Sequence, residues 1–433
     1  MAPLYQRFAE TATRTPDAPA IQAVDHTLTH RQFLALADDQ AARWRAQGLG
    51  AGCFIGWLGH NSAAMLAGLL ACAKLGAVFV PLNWRLAPAE LVAIADHAGL
   101  AALEHTPELA DLAAQVRAGA PLAGAAVPVQ PGDVLLVYTS GTTGEPKGAL
   151  HTQAGMLANV DAALAVQPIT AGSRVLSVLP LFHVGGLCIQ TLPALAAGAA
   201  VKLHARVDPA AWLHDVAQWR PTTSLLVPAV MKAITEHPAW PAADLSSLAF
   251  VNSGSQVVPT GLIERFHARG VPVAQVYGST ESGPVSVALP PDAARSHAGR
   301  VGWPAPGVQL RLVDAGGQAV AEADPAAGRP TSAVGEVQLK AANLMRGYHR
   351  LPQHASFVDG WLATGDLACR HADGSVEVVG RSKDLIISGG ENIHPAEIEN
   401  LALALPGVAE AAVVGLPDAR WGEVPVLALV AQP

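Results

Sequence analysis

The chain has 433 residues, 51% hydrophobic and only 14% charged, and its mean hydropathy of +0.29 calls for a sizeable core, which excludes a disordered tail and a small stapled scaffold. A formal charge of −8 and a pI near 6.0 leave no electrostatic footprint for the phosphate backbone of nucleic acid. Four cysteines, at 53, 72, 188 and 369, lack CxxC spacing and argue against a disulfide framework or a zinc site, so a reducing compartment is expected.

The N-terminus shows no basic region followed by an apolar run, so no secretory leader is read there. Helical periodicity over Arg31–Gln47 and Ser62–Leu75 alternates with strand-like Cys53–Leu58 and Val78–Pro81. The most apolar stretch, Ala63–Leu82, is interrupted by Lys74, Gly68, Gly76 and Pro81, which suits a buried helix turning into a strand rather than a membrane span. A cytoplasmic, soluble protein is expected. Val134–Tyr138 reads as a strand. The alternation then resumes with strand Ser173–Leu179, helix Gly186–Ala196, strand Ala200–Leu203, helix Pro209–Trp219 and strand Ser224–Val227. Such alternation predicts an α/β fold with largely parallel sheets.

From about Gly307 strands and turns dominate, with Val308–Asp314, Gly335–Lys340 and Val376–Val379, and a β-rich subdomain over about 307–380 is expected. A further unit begins after Gly380-Arg-Ser-Lys-Asp384, with strand Leu385–Ile387, a Gly389-Gly390 turn, a helix opened by Pro395, and short strands Ala411–Val414 and Pro425–Val430. Residues 385–433 are near the lower limit for an independent domain, so a small, incomplete α+β C-terminal domain is expected after a large domain over 1–380.

The chemistry concentrates in Val137-Tyr-Thr-Ser-Gly-Thr-Thr-Gly-Glu-Pro-Lys-Gly148, where a strand runs into a loop of hydroxyls, glycines and one lysine. Glycines let backbone N–H groups approach phosphate oxygens, hydroxyls donate to them, and lysine supplies charge. The spacing is not that of a Walker A loop. An ordinary Ser/Thr/Gly connection is the bland alternative.

This stretch resembles the signature loop of the adenylate-forming superfamily of acyl-CoA synthetases, luciferases and peptide-synthetase adenylation domains. Five further motifs follow in the order that family requires: Leu179-Pro-Leu-Phe-His-Val-Gly-Gly-Leu187, Ser253-Gly-Ser-Gln256, Tyr277-Gly-Ser-Thr-Glu281, Thr364-Gly-Asp366 and Gly380–Glu391. The resemblance implies an ATP site. Thr139, Ser140, Gly141, Thr142, Thr143, Gly144 and Lys147 would face the phosphates, and Gly254, Ser255 and Gln256 the purine. Tyr277 would lie beside adenine with Gly278 and Ser279, Thr280 would donate to the α-phosphate, and Glu281 would hold Mg²⁺. Asp366 and Arg381 would hold the ribose, although alone they read as a turn residue and a surface ion-pair partner. His183, Val184, Gly185, Ser253 and Gly278 would border the acyl pocket, with a satisfied core histidine as the alternative for His183. Lys147, Thr280, Glu281 and His183 form the implied catalytic set.

The implied reaction has two steps. A carboxylate and Mg·ATP give an acyl-adenylate and pyrophosphate, and a thiol, that of CoA, then displaces AMP. The family rotates its C-terminal domain between the steps, which puts a hinge at Lys383 and Asp384 within 381–384 and brings the turn Ser388, Gly389, Gly390, Glu391 toward the thiol. A plain β-turn is the other reading of that segment. No aspartate is placed to pair an α-ammonium group, so the acid is expected to be fatty or aromatic. Two alternatives stay open: transfer to a carrier protein, and a binding protein with little turnover. The latter arises because a Pro-Lys-Thr-x-x-Gly-Lys segment, bearing the family's C-terminal lysine, has no counterpart among the 433 residues.

Overall fold

The structure, a computed structural model, describes residues 3–23, 26–120, 122, 129–139, 147–352, 357–389, 391–403, 405–418 and 420–431. Its centre is two α/β sheets. The larger has nine strands in the order Trp303–Pro304, Val287–Leu289, Val273–Tyr277, Phe250–Ser253, Thr223–Leu226, Arg174–Ser177, Ala200–Leu203, Pro19–Gln22 and Thr27–Thr29. From Val273–Tyr277 to Pro19–Gln22 the neighbours run parallel, and only the edges are antiparallel. Parallel pairing needs crossovers, and helices such as Pro209–Gln218 and Thr260–Ala268 supply them.

The second sheet has six strands in the order Gly347–Tyr348, Lys147–Thr152, Asp133–Thr139, Val78–Leu82, Phe54–Leu58 and Leu100–His105. Phe54–Leu58 and Val78–Leu82 are buried at every position, which is why they read as unbroken apolar runs rather than alternating ones. Helix Ala63–Leu75 between them starts where the Ser62 hydroxyl accepts the Met65 N–H at 3.2 Å and stops at left-handed Gly76.

As expected from the turn-rich sequence, Gln309–Val313, Gly335–Lys340, Trp361–Arg370, Val376–Arg381 and Phe357–Val358 form a third, antiparallel sheet. A four-stranded sheet with helix Pro395–Leu403 follows. Its strands Val408–Asp418 and Gly422–Ala431 are longer than the expected ones. Gly415 and Pro417 look like strand breakers, but Val408–Asp418 is an edge strand, where a missing N–H is tolerated. The helix expected over Gly186–Ala196 is not regular. It opens as Val184–Gly186, widens into a π-helical turn at Leu187–Thr191, where the Thr191 hydroxyl donates to the Gly186 carbonyl at 2.7 Å, and resumes as Leu192–Ala197. Among the described residues no helix is long and apolar enough to cross a membrane.

Candidate active site

Strands Asp133–Thr139 and Lys147–Thr152 pair antiparallel with Thr139 opposite Lys147, so the two ends of the Gly-rich loop are fixed side by side. Ser140, Gly141, Thr142, Thr143 and Gly144 themselves lie outside the described residues. The Lys147 ammonium stands 5.6 Å from the centre of the Tyr348 ring. Tyr348 is brought there by the short strand Gly347–Tyr348, which pairs Tyr348 with Ala149. Its hydroxyl donates to Glu281 Oε1 at 2.7 Å. Burial, and then the Glu281 carboxylate, push the Tyr348 pKa up, so the phenol stays protonated and remains a donor. Lysine and carboxylate are thus joined through one aromatic ring.

Glu281 ends the segment 277–281, which leaves the nine-stranded sheet at Val273–Tyr277. At the other end of this segment the Tyr277 hydroxyl donates to Asp366 Oδ2 at 2.8 Å, and Arg381 Nε donates to Asp366 Oδ1 at 2.8 Å. Asp366 and Arg381 face each other across Trp361–Arg370 and Val376–Arg381. The ion pair is one-sided in exposure, with the aspartate side chain at 11% and the arginine at 50%, so the guanidinium forms a wet rim over a buried carboxylate. The Thr364 hydroxyl receives the Asp366 N–H at 3.1 Å and donates to the Val337 carbonyl at 2.8 Å, locking the Thr-Gly-Asp turn. Asp366 is therefore more than a turn residue. Two of its roughly four lone-pair sites are taken, which leaves acceptors for two hydroxyls of a ribose.

His183 is exposed, which removes the core-histidine reading. Surrounding protein mass still desolvates the ring, and the Arg85 guanidinium adds repulsion, so its pKa is held below 6.5. A Cβ on Gly185 would lie 3.8 Å from the Ser255 hydroxyl, so the His183 motif and Ser253–Gln256 meet. Ser253 is fully buried, Ser255 and Gln256 are exposed, and Ser255 holds a left-handed φ of 70°. A side chain at Gly254 would sit 2.4 Å from the Val276 carbonyl, and one at Gly278 would sit 2.4 Å from the Pro284 carbonyl. Ser279 accepts and donates with Ser282, its N–H meeting Ser282 Oγ at 2.7 Å, and so shapes the turn that presents Thr280.

Lys383 and Asp384 lie in an exposed 3₁₀ turn between the third sheet and the four-stranded one. Ser388 pairs with both Glu391 and Gly422, and the Gly389 N–H donates to the Trp421 carbonyl at 2.8 Å. Gly390 lies outside the described residues. Sequence reasoning missed Tyr348 and also a cationic rim beside His183, where Arg85 and Arg206 stand 5.1 and 5.2 Å from the Trp84 ring. The Asn-Trp-Arg string at 83–85 was the available signal. It missed His151 as well, which lies on the same strand as Lys147 and contacts the Thr280 backbone.

Comparison with known proteins points to one family. The family model described as AMP-binding enzyme matches residues 8–349, and the model of the AMP-binding enzyme C-terminal domain matches 397–433. The indoleacetate–CoA ligase of Aromatoleum aromaticum is 40% identical, the match covering 96% of this chain and 85% of the relative. A feruloyl-CoA synthase from an Amycolatopsis species is 39% identical over 95% of this chain and 85% of its own length. Among solved structures, the o-succinylbenzoate coenzyme A synthetase of Bacillus subtilis, in complex with ATP and magnesium ion, aligns with a TM-score of 0.85 at 30% identity, covering 98% of this chain and 89% of that one.

Proposed function

Since the chain belongs to the AMP-binding enzymes, we propose that it ligates an aromatic carboxylic acid to coenzyme A, splitting ATP into AMP and pyrophosphate by way of an acyl-adenylate. The observation that carries this reading is the convergence on one segment, 277–281, of a phosphate-side group (Lys147, Tyr348, Glu281) and a ribose-side group (Tyr277, Asp366, Arg381). The aromatic class rests on relatives named for indoleacetate and ferulate, two acids whose rings carry an N–H or an O–H. Separated cysteines, none bonded to another among the described residues, support a cytoplasmic setting.

No side chain has to act as a nucleophile. The acid's own carboxylate oxygen bonds to the α-phosphorus while the bond to the bridging oxygen of pyrophosphate breaks, so the protein positions the groups and offsets charge. Asp366 accepts ribose hydroxyls, held by Tyr277 and Arg381. Lys147 and Thr280 meet the phosphates. Glu281 suits a hard cation, because Tyr348 takes one of its roughly four lone-pair sites and leaves the others. Magnesium, when bound there, would neutralise phosphate charge. His183, Val184 and Gly185 border the acyl group. In the second step the thiol sulfur attacks the acyl carbon and AMP leaves, with Ser388–Glu391 turned inward about a hinge at Lys383–Asp384, at the junction of a large domain over 1–380 and a small one over 385–433.

The test is a pyrophosphate-release screen of aromatic and aliphatic acids, with and without coenzyme A, alongside Glu281→Gln. Acid-dependent release, AMP formation and an acyl-CoA product are expected, with the variant inactive but folded. Release that is undiminished in Glu281→Gln, or absent with every acid, would sink the reading.

A further inference from the structure

We propose that His151 reads the far end of the acid, its Nε2 accepting a hydrogen bond from a hydroxyl or ring N–H of the substrate. His151 is 3% exposed, and its Nε2 is fully enclosed with no hydrogen-bond partner among the described residues. The ring bonds the Thr280 backbone in a way that favours its protonated form, so it donates there, and that donation falls to the other nitrogen, Nδ1. Burial keeps the ring neutral, with a pKa lowered to about 4. Nε2 is therefore a lone pair in want of a donor. An unpaired buried acceptor costs free energy, so a donor that reaches it from the substrate gains by pairing with it.

The space beside it fits one. His151, Asn159, Val184, Cys188, Pro284 and Asn343 line a cavity of about 10 Å³, which matches one water-sized atom and excludes a ring. Among the described residues no donor lies within hydrogen-bond distance of Nε2, and both asparagine amides are turned to backbone carbonyls. Asn159 Nδ2 donates to the Cys188 carbonyl at 2.8 Å, and Asn343 Nδ2 donates to the Ser282 and Gly283 carbonyls at 3.1 and 2.9 Å. Val184 on one wall belongs to the segment proposed to border the acyl group, and Pro284 on another packs against Gly278, also proposed to border it, so the cavity adjoins the proposed acyl site. A ring lying outside would put a hydroxyl oxygen into this space, or point the hydrogen of an edge N–H into it. This inference rests on the ligase reading, which supplies the acid and its pocket.

The test uses two pairs of probes: indole-3-acetate against 1-methylindole-3-acetate, and 4-hydroxycinnamate against cinnamate. Affinities are measured by calorimetry on the whole chain, for the parent, His151→Phe and His151→Gln, with melting temperatures to verify folding. In the parent, at least one donor-bearing acid should bind about tenfold or more tighter than its partner, since a site built to bond an N–H or O–H rejects the analogue lacking it. That ratio should collapse toward one in His151→Phe and survive in part in His151→Gln, which keeps an acceptor. In ¹⁵N spectra of the parent, the His151 Nε2 resonance should move when the donor-bearing acid binds. Equal affinities within both pairs, a preference that persists in His151→Phe, or failure of all four acids to bind would overturn the subsite and leave the cavity to a water molecule. Pyrophosphate release with octanoate, read in parallel, keeps the two ideas apart: release without aromatic binding removes only the subsite, whereas no release with any acid removes the ligase reading.

Discussion

The Tyr348 hydroxyl holds Glu281 Oε1 at 2.7 Å while the same ring faces the Lys147 ammonium, so one residue orients the carboxylate proposed for the metal and the lysine proposed for the phosphates. Tyr348→Phe separates the two roles, because it deletes the donor and keeps the ring. A hydrogen bond to a charged group contributes about 1.5–3 kcal/mol, so the Mg²⁺ concentration that half-saturates ATP–pyrophosphate exchange should rise roughly tenfold or more, with the lysine still seated. Magnesium titration of parent and variant checks this. An unchanged midpoint would mean that Glu281 is oriented by something else.

On the ribose side, Asp366 is held by Tyr277 and Arg381, and its removal both deletes the acceptors for ribose and takes away the shorter partner of the half-buried Tyr277 hydroxyl. Burial raises the pKa of that phenol, so it remains a donor and is left with only the longer bond to the Thr364 hydroxyl at 3.3 Å. Asp366→Ala should weaken ATP binding by about 1.5–3 kcal/mol. Tyr277→Phe, which leaves the carboxylate and Arg381 in place, should cost less. Calorimetry with ATP ranks the two, and the reverse ranking would shift the ribose role away from Asp366.

Gly278 stands where backbone meets backbone. A Cβ there would lie 2.4 Å from the Pro284 oxygen and 2.6 Å from its carbonyl carbon, neither of which can swing away as a side chain could. Gly278→Ala must therefore push segment 277–281 off Pro284, moving Thr280 and Glu281 together. Overpacking of this kind costs about 1–3 kcal/mol of stability. A misplacement of about 1 Å costs on the order of a hundredfold in rate. The variant should melt a few degrees lower and release pyrophosphate far more slowly. Full activity at a lowered melting temperature would show that the segment tolerates displacement.

What was legible in the sequence follows from range. Ala63–Leu75 and Val78–Leu82 declare themselves by local pattern, and the motif residues by their order. Tyr348 does not, because it arrives on a two-residue strand whose partner, Ala149, is about two hundred residues away in the chain. No periodicity can form over two residues. His151 is hidden for a different reason: it sits at an inward position of a short strand, where an isolated histidine among apolar neighbours reads as core. That reading is correct as to burial and silent about the unpartnered Nε2, which only the packed structure exposes. The π turn at Leu187–Thr191 was equally invisible, since it depends on one hydroxyl bonding a carbonyl five residues back.

Acid should unfold the chain through a histidine outside the proposed site. His349 is 4% exposed, its ring 4.9 Å from that of Phe54 and 5.5 Å from that of His97. Burial chiefly, then the charges of His97 and Arg350, lower its pKa to about 4 from 6.5. The folded form thus keeps the ring neutral where the unfolded chain would already bind a proton. Its contribution to stability is complete above pH 6.5, declines as the pH falls, and is lost by about pH 4. At 1.36 kcal/mol per pH unit, the fall from pH 6.5 to 5 amounts to about 2 kcal/mol from this group alone. Urea denaturation at pH 7.5, 6 and 5 should therefore show a steeper loss in the parent than in His349→Gln, which cannot titrate. The variant starts from lower stability at pH 7.5 if the packing suffers, so the comparison is one of slopes and not of levels. Parallel slopes would place the acid-sensitive proton elsewhere, with His151, whose pKa is lowered to about 4 by burial, as the next residue to substitute.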